Sequence, residues 1–476
     1  MKEKTAQKLH KLALWWRGKS KENQMLMLFI GIILLCFALL VPVMFIKYAF
    51  NIRIPDEELA SGAVIKTTND FYRFFSMLFY DTNIFFQDRD DIFMDWFNIN
   101  FMVAKNNPYL GADSSYPPLV LKIAQIFTAM ADYSKGAGVA RNSMEGVYSI
   151  LIFYAVCLIP TYVLIYVACR RAKQPFWVSL LLSFAFSVSV PFLFEYDRGN
   201  YVLMALPFTI AFFLWYNSEK KWARELAYLS LAISVGIKIY PAAFALILLK
   251  EKRFAGFVRT AAYSVVALVL PFAFFDGGFD NIEAFLHWLT DFSGDKGTGV
   301  NVVVYGVSYS FSPYNLYAIL AGILGEGIID LEVVQTAKAF EIVGKLTTLF
   351  IIVCIFFAGL TANRGWKVLL ASALATLFVP SISFAYSGCM FVVPILAFLF
   401  EKNKEKIDWA YLVLFLLVLA PVDSFNVLGY YRLAFRWGVS FMHIVQLLSY
   451  MAMLGLLTAE SLLRYAKKVR KLPAGA

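Results

Sequence analysis

An acidic run that ends in aromatic residues is the first place where this sequence could move a proton. Residues 88–98 read Asp-Arg-Asp-Asp-Ile-Phe-Met-Asp-Trp-Phe-Asn. Asp91 and Asp95 are four residues apart, so on a helix they share one face. An aspartate beside Trp96 and Phe97 is expected to be partly desolvated, which makes a carboxylate a stronger general base for a hydroxyl group. Alternatively, Asp95 caps a helix that begins at Trp96, or the acidic run is a solvated face.

A second polar cluster, residues 195–200, reads Glu-Tyr-Asp-Arg-Gly-Asn and follows an apolar segment. Arg198 could bind a phosphate through the bidentate fork of its guanidinium group. Gly199 would let the backbone approach a ligand closely. The simpler interpretations are that Arg198 anchors the chain at the membrane interface or pairs with Asp197.

Residues 236–241, Gly-Ile-Lys-Ile-Tyr-Pro, interrupt an apolar segment with basic residues at both ends. Pro241 forbids a continuous helix, and Gly236 is expected to loosen it. Irregular backbone at membrane depth is tolerated only where it lines an enclosed cavity. A broken hairpin over 226–249 would keep both basic ends in the cytoplasm. Because a lysine in lipid costs about 3 kcal/mol, Lys238 should face a polar cavity or an anion, with the Tyr240 hydroxyl beside it. Alternatively, 226–249 is one ordinary span in which Lys238 snorkels.

These candidates lie in a chain that is too apolar for a soluble enzyme. Of its 476 residues, 60% are hydrophobic and only 16% are charged, whereas soluble domains are about 25% charged. The net charge of +10 therefore indicates basic cytoplasmic loops rather than nucleic-acid binding. All five cysteines lie in or beside apolar segments, and the three histidines lack metal-ligand spacing. Neither disulfides nor a metal site built from these residues is predicted.

The predicted fold class is an all-α polytopic membrane protein, a single domain over 1–476 with about 10–12 transmembrane helices. Basic clusters follow the predicted spans and place both termini in the cytoplasm. The candidate spans are 25–48, 147–169, 175–194, 201–217, 226–249, 257–275, 337–361, 366–382, 385–400, 408–421 and 434–463.

Two long loops are predicted on the extracytoplasmic side. The first, 50–146, is rich in acidic residues and contains apolar stretches near 69–80 and 117–130 that suit interfacial helices. The second, 276–336, contains another apolar stretch at 314–324, and 195–200 forms a short outer turn. Polar functional residues collect at these outer ends instead of in mid-span. The pattern therefore favours a reaction at the outer membrane surface over transport.

In this order, the motifs resemble the polyprenol-phosphate-mannose-dependent α-1,2-mannosyltransferase-like family of integral membrane glycosyltransferases, of GT-C type. The resemblance extends over roughly residues 90–260. It rests on four pieces: Asp-Trp-Phe at 95–97, Pro-Tyr at 108–109 with Tyr-Pro-Pro-Leu at 116–119, Arg-Gly-Asn at 198–200, and Lys-Ile-Tyr-Pro at 238–241.

The resemblance implies an enzyme that uses a polyprenyl-phosphate sugar as donor and a glycan or glycolipid as acceptor. Its partners would be these substrates and membrane lipid, with no nucleic acid. Asp95 matches the family's outer-loop catalytic base, and Asp91 is the near alternative. Arg198, Lys238 and Tyr240 would bind the donor phosphate and stabilise its charge as it leaves. No cofactor is required, although the aspartates would also suit a divalent cation.

Four further residues are predicted to bind substrate: Asn200, Tyr109, Tyr116 and Tyr386. Tyrosine rings can stack on sugar faces, although interfacial belts are their commoner use in membrane proteins. The family often carries a Ser-Trp-Asp/Glu-His stretch, whereas residues 380–387 here read Pro-Ser-Ile-Ser-Phe-Ala-Tyr-Ser. This departure leaves the sugar open between mannose and another hexose or pentose.

Two other classes of protein are compatible with the hydropathy pattern. A polysaccharide polymerase or ligase acts on lipid-linked glycans, but such enzymes typically carry a large basic loop between later spans, whereas here the large loop comes first and is acidic. A lipid-sugar transporter or flippase is disfavoured because no internal repeat is evident. The resemblance favours a bacterial plasma membrane as the location, with the active site extracytoplasmic.

Overall fold

The computed structural model describes residue 10 and residues 14–49, 93–105, 107–111, 114–293, 310–312, 338–380, 383–422, 430–432 and 438–469. Helices make up almost all of its regular elements. A short antiparallel pair, β1 (Tyr430–Arg432) and β2 (Gly438–Ser440), is the exception within these ranges. The predicted all-α polytopic class is therefore confirmed.

The helices before the predicted membrane break are α1 (Lys21–Ala49), α2 (Met94–Ala104), α3 (Pro108–Gly111), α4 (Pro118–Thr128), α5 (Ala137–Arg141), α6 (Met144–Arg171), α7 (Phe176–Ser187), α8 (Val190–Arg198), α9 (Val202–Trp215) and α10 (Lys221–Ile237). Those after it are α11 (Leu246–Lys250), α12 (Phe254–Val269), α13 (Asn281–Ser293), α14 (Lys338–Thr361), α15 (Gly365–Phe378), α16 (Val392–Phe400), α17 (Asp408–Leu419) and α18 (Phe441–Val469). Short 3-10 helices cover Tyr240–Ala245, Leu270–Phe274, Gly278–Asp280 and Ala385–Phe391.

Five helical segments in the described part of the chain are long and apolar enough to cross a membrane. They are Lys21–Pro42, Met144–Arg171, Phe254–Phe274, Ile342–Thr361 and Met442–Lys467. The pair α7 and α8 would be a sixth span, broken by a bend of 59°. Other predicted spans, among them α9, α15 and α17, are apolar helices of only 10–17 residues.

Long helices expose apolar side chains along one face, as a lipid-facing surface requires. On α6, Val156, Ile159 and Val163 are exposed, and on α14 Leu349 and Phe350 are exposed. A soluble protein rarely leaves such large apolar patches open to water. These faces support the assignment of the chain as an integral membrane protein.

The core lies on the other faces of the helices. The apolar helix α9 packs against both α6 and α10, and α10 packs in turn against α12. The short helices α2 and α4 pack against each other beside this group, and α8 packs against the 3-10 helix Ala385–Phe391. The ends of α2, α8 and α10 therefore meet in one region, which carries most of the predicted site residues.

Two local predictions were wrong, and two lie outside the described residues. Residues 195–200 are not a turn as a whole, because α8 continues to Arg198 before the chain reverses. Gly236 does not loosen the membrane break but lies inside α10, where a Cβ atom would come within 2.6 Å of Leu119 Cδ2. Close helix packing explains this glycine. The apolar stretches 69–80 and 314–324 lie in parts of the chain that the structure does not describe.

Candidate active site

Asp95 lies in the first turn of α2 and is 9% exposed. The helix begins after Phe93, whose backbone is left-handed (φ 56°) and whose N–H donates to the carbonyl oxygen of Asp197 at 2.6 Å. The Trp96 ring stacks on Tyr201 with centroids 5.3 Å apart. Asp95 does not cap the helix, because α2 begins at Met94 and no side chain caps it. Its carboxylate is held inside the protein.

Both oxygens of the Asp95 carboxylate accept a hydrogen bond. Arg198 Nη2 donates to Oδ1 at 2.7 Å, and Asn200 Nδ2 donates to Oδ2 at 2.6 Å. The side chains of Arg198 and Asp95 are only 6% and 10% exposed, so this ion pair is shielded from water. The structure therefore brings together the two motifs that the sequence placed about a hundred residues apart.

The Arg-Gly-Asn motif has a structural reason for its glycine. Gly199 ends α8 with a left-handed backbone (φ 63°), which glycine adopts without strain. A Cβ atom there would lie 2.8 Å from Trp96 Cβ. The reversal allows Asn200 to point back at Asp95, while its Oδ1 accepts a hydrogen bond from the N–H of Val202 at 3.1 Å.

The predicted break of the apolar segment 226–249 is at Lys238. The helix α10 ends at Ile237, Lys238 is extended (φ −142°, ψ 131°), and a 3-10 helix starts at Tyr240. Lys238 Nζ lies 4.5 Å from the centre of the Tyr116 ring and interacts electrostatically with Asp95. This ammonium group therefore lies in the same region as Asp95 and Tyr116, and its role in binding phosphate stays a prediction.

The Tyr240 hydroxyl is buried beside Ser387 and makes no hydrogen bond of normal geometry within the described residues. Tyr386 lies in the 3-10 helix Ala385–Phe391 and packs against Phe194 and Phe384, with ring centroids 5.9 Å and 5.7 Å away. Asp95 and Arg198 both act on it electrostatically. Both tyrosines therefore belong to the walls of the site.

The two tyrosines of the first loop have different positions. Burial raises the pKa of Tyr116, so its phenol stays protonated beside Lys238. Tyr109 lies behind it, packed against Phe272, and donates its hydroxyl proton to the backbone carbonyl of Tyr116 at 3.0 Å. Tyr109 therefore supports the loop that carries Tyr116. The alternative base, Asp91, lies outside the described residues.

Glu195 also lies in the site, although its sequence context did not predict it. It lies one turn before Arg198 on α8, and its side chain is completely buried. The i, i+3 spacing, which places Glu195 and Arg198 on neighbouring positions of one helix face, was the signal that could have revealed it.

The site holds two carboxylates and two cations among buried tyrosines. A carboxylate can accept a proton, and a guanidinium and an ammonium group can neutralise a phosphate. In the described part of the chain, no three His, Cys, Asp or Glu side chains are grouped so that they could bind a metal ion. These groups could therefore transfer a proton next to a bound phosphate.

Comparison with known proteins identifies the family. The sequence profile of glycosyltransferase family 87 matches residues 116–380, which is more than half of the chain and includes Arg198 and Lys238. Asp95 lies before the matched region. No curated protein matches the chain.

Proposed function

The chain belongs to glycosyltransferase family 87, a membrane glycosyltransferase family of GT-C type, and from that premise we propose its donor and its mechanism. The donor is a polyprenyl-phosphate sugar, either mannose or another hexose or pentose. The acceptor is a hydroxyl group of a lipid-linked or cell-envelope glycan. The reaction takes place at the extracytoplasmic face of a bacterial plasma membrane, with both termini in the cytoplasm.

The observation that carries this proposal is the contact between Asp95 and Arg198 with Lys238 nearby. A nucleotide-sugar enzyme would have to bind a diphosphate and a base. This site offers two cations, which match the charge of one phosphate group, and a carboxylate beside them. The apolar faces of the long helices support a lipid-linked donor, because a polyprenyl chain would lie in the lipid beside them.

In the proposed reaction, Asp95 accepts the proton of the acceptor hydroxyl while the oxygen of that hydroxyl attacks the anomeric carbon of the donor sugar. The bond between that carbon and the phosphate oxygen breaks, and polyprenyl phosphate leaves with the electron pair. Arg198 and Lys238 neutralise the charge that develops on the phosphate, and Tyr240 donates a hydrogen bond to it. A single displacement inverts the anomeric configuration.

The hydrogen bonds of Asp95 imply an order of events. Oδ1 of Asp95 already accepts a hydrogen bond from Arg198, so it is occupied when no donor is bound. A donor phosphate would compete with Asp95 for the same guanidinium group. Donor binding would then draw Arg198 toward the phosphate and leave Oδ1 of Asp95 free to accept the acceptor's proton.

The direct test is to incubate the purified protein with a panel of polyprenyl-phosphate sugars and an acceptor, and to measure glycosylated product and free polyprenyl phosphate together. We expect Asp95→Asn to lower the rate of transfer by about 10²–10⁴-fold, because general-base catalysis is worth that much. Asp132→Asn, at an exposed aspartate that accepts a hydrogen bond from the N–H of Ser134, is the matched control.

Two outcomes would contradict the proposal. If the wild-type protein transfers sugar from a nucleotide sugar and from none of the lipid phosphates, the donor is wrong. If Asp95→Asn keeps the wild-type rate, the base is not Asp95.

A further inference from the structure

The carboxylate of Glu195 is buried without a bonding partner. Its side chain is completely inaccessible to water, and neither Oε1 nor Oε2 has a hydrogen-bond partner among the described residues. A carboxylate has acceptor sites on both oxygens, and leaving them empty in the protein interior costs several kcal/mol. We therefore expect a ligand to donate hydrogen bonds to these two oxygens.

The surroundings of Glu195 show which kind of group this is. Asp95 and Glu195 repel each other, and Lys238 and Arg198 are the cations that act on both of them. The buried Asp197 also acts on Arg198. The Lys238 ammonium attracts Glu195 electrostatically but makes no hydrogen bond to it.

An anion would be repelled from the Glu195 side of the site, and the described residues group no three His, Cys, Asp or Glu side chains that could bind a metal cation. A neutral group with several O–H donors satisfies the empty oxygens without changing the charge. Adjacent hydroxyl groups of a sugar have this chemistry, because each can donate one hydrogen bond to one carboxylate oxygen.

We propose that Glu195 binds hydroxyl groups of the sugar that is transferred. This inference rests on the proposed function, in which Arg198 and Lys238 bind the donor phosphate. Glu195 then marks the sugar end of the donor site, one helical turn away from the phosphate end. Its carboxyl group determines which hydroxyl pattern is accepted, since a sugar that lacks the matching hydroxyl leaves a buried polar oxygen unsatisfied.

A purely structural role makes a different prediction. The N–H of Leu203, in the first turn of α9, is close enough to stabilise the charge of Glu195. If Glu195 only anchored the start of that helix, its replacement would lower stability and affect all donors equally. A sugar-binding role requires that the effect depend on individual hydroxyl groups.

The test combines variants of Glu195 with donors that each lack one sugar hydroxyl. In the wild-type protein, we expect loss of one particular hydroxyl to lower kcat/KM by about 10- to 150-fold, the effect of a hydrogen bond to a charged group. In Glu195→Gln and Glu195→Ala, we expect the penalty for that same hydroxyl to fall to roughly threefold or less. Glu225→Gln is the control, because Glu225 is a partly exposed carboxylate that pairs with Arg259.

A binding measurement keeps the test independent of turnover. Glu195→Gln should weaken binding of the polyprenyl-phosphate sugar, while its affinity for polyprenyl phosphate without a sugar should stay the same or increase. The proposal is overturned if removing a donor hydroxyl lowers kcat/KM by the same factor in wild type and variants. It is also overturned if wild type and variants differ only with acceptors that lack a hydroxyl. Wild-type protein that binds and uses no lipid-phosphate donor at all would instead overturn the proposed function and this inference with it.

Discussion

At the scale of single residues, the two carboxyl groups of the site differ in their hydrogen bonding. Asp95 uses both carboxylate oxygens on Arg198 and Asn200, while Glu195 uses neither. The protein therefore stabilises one carboxylate and leaves the other for a ligand. Lys238 acts electrostatically on both carboxyl groups. Its replacement should therefore weaken binding of the donor phosphate.

We expect Lys238→Met to raise KM for the polyprenyl-phosphate sugar by at least about tenfold, because a partly buried cation that meets a phosphate is worth more than 1.4 kcal/mol. Inhibition by free polyprenyl phosphate should weaken by the same factor. Steady-state kinetics with varied donor concentration measures both.

Lys122→Met is the matched control for this substitution. Lys122 also places its ammonium over an aromatic ring, 3.8 Å from the centre of Phe275, but it donates to Gln125 and the backbone carbonyl of Phe274 instead of facing Asp95. The Lys122→Met substitution should leave the KM for the donor unchanged. Wild-type donor kinetics in Lys238→Met would remove Lys238 from the phosphate site.

At the scale of elements, the site depends on where α8 ends against α2. The two helices are joined by the hydrogen bond from Phe93 to Asp197 and by the contact of Gly199 with Trp96. Both contacts set the position of Asp95 relative to Arg198. A displacement of a few tenths of an ångström at this junction would lengthen the ion pair, so its effect should appear in turnover as well as in stability.

Gly199→Ala should destabilise the protein by roughly 2–4 kcal/mol, from the left-handed backbone and from the steric clash with Trp96. It should also lower kcat by about 10²-fold, because misplacement of catalytic groups by 1 Å has that effect. Thermal unfolding in detergent and turnover of the folded fraction measure the two effects. Gly138→Ala is the control, since nothing lies within 4 Å of a Cβ atom there; equal behaviour of both variants would contradict this account.

The sequence predicted these elements unevenly, for physical reasons. Pro241 forced a break in the apolar segment, and the helix does end just before Lys238. The end of α8 was missed because Glu195, Asp197 and Arg198 are charged residues that would ordinarily mark an exposed turn. All three are buried here, because α8 packs against α2 and the 3-10 helix Ala385–Phe391, which are its partners in the fold. Hydropathy alone contains no information about such partners.

At the scale of the whole molecule, composition predicted a membrane protein, because apolar residues in such excess must face lipid. Apolar segments of about 20 residues predicted that the spans are helices. Only the family resemblance predicted that Asp95 and Arg198 lie close together, because the order of the motifs alone does not give their distance in space. The hydrogen bonds to each Asp95 oxygen follow from packing of α2 against α8, which no local pattern encodes. The orientation in the membrane remains a prediction from the basic clusters.

That orientation can be measured with single cysteines. Ser134 lies in an exposed turn between α4 and α5, and Asn403 lies in the exposed turn between α16 and α17. The basic residues around Asn403 favour the cytoplasm. We expect a membrane-impermeant thiol reagent added to intact cells to label Ser134→Cys, and to label Asn403→Cys only after permeabilisation. The reverse pattern would place the site in the cytoplasm and exclude the proposed reaction face. Wild-type protein, whose cysteines are buried or only partly exposed, provides the background.

A buried ion-pair network joins three helices outside the candidate site. Arg364, just before α15, donates to both carboxylate oxygens of Asp408 on α17 at 2.8 Å and 2.7 Å. Lys367 pairs with Glu460 of α18, which also accepts the hydroxyl proton of Tyr411 at 2.8 Å. None of these groups takes part in the proposed chemistry, so the network should contribute to stability alone.

We expect Asp408→Asn to destabilise the protein by about 3–5 kcal/mol, the cost of removing one partner of a buried pair. Asp408 is completely buried, whereas Arg364 retains weaker contacts with Glu401 and Glu405 that reduce the cost toward the lower value. Glu251→Gln breaks a pair with Arg253 whose side chains are about one-third exposed, so it should cost no more than about 1 kcal/mol. Thermal unfolding measures the difference, and turnover per folded molecule should stay at the wild-type level in both variants. Loss of turnover in a folded Asp408→Asn protein would show that the network is coupled to the active site, because stability alone cannot change the rate of molecules that remain folded.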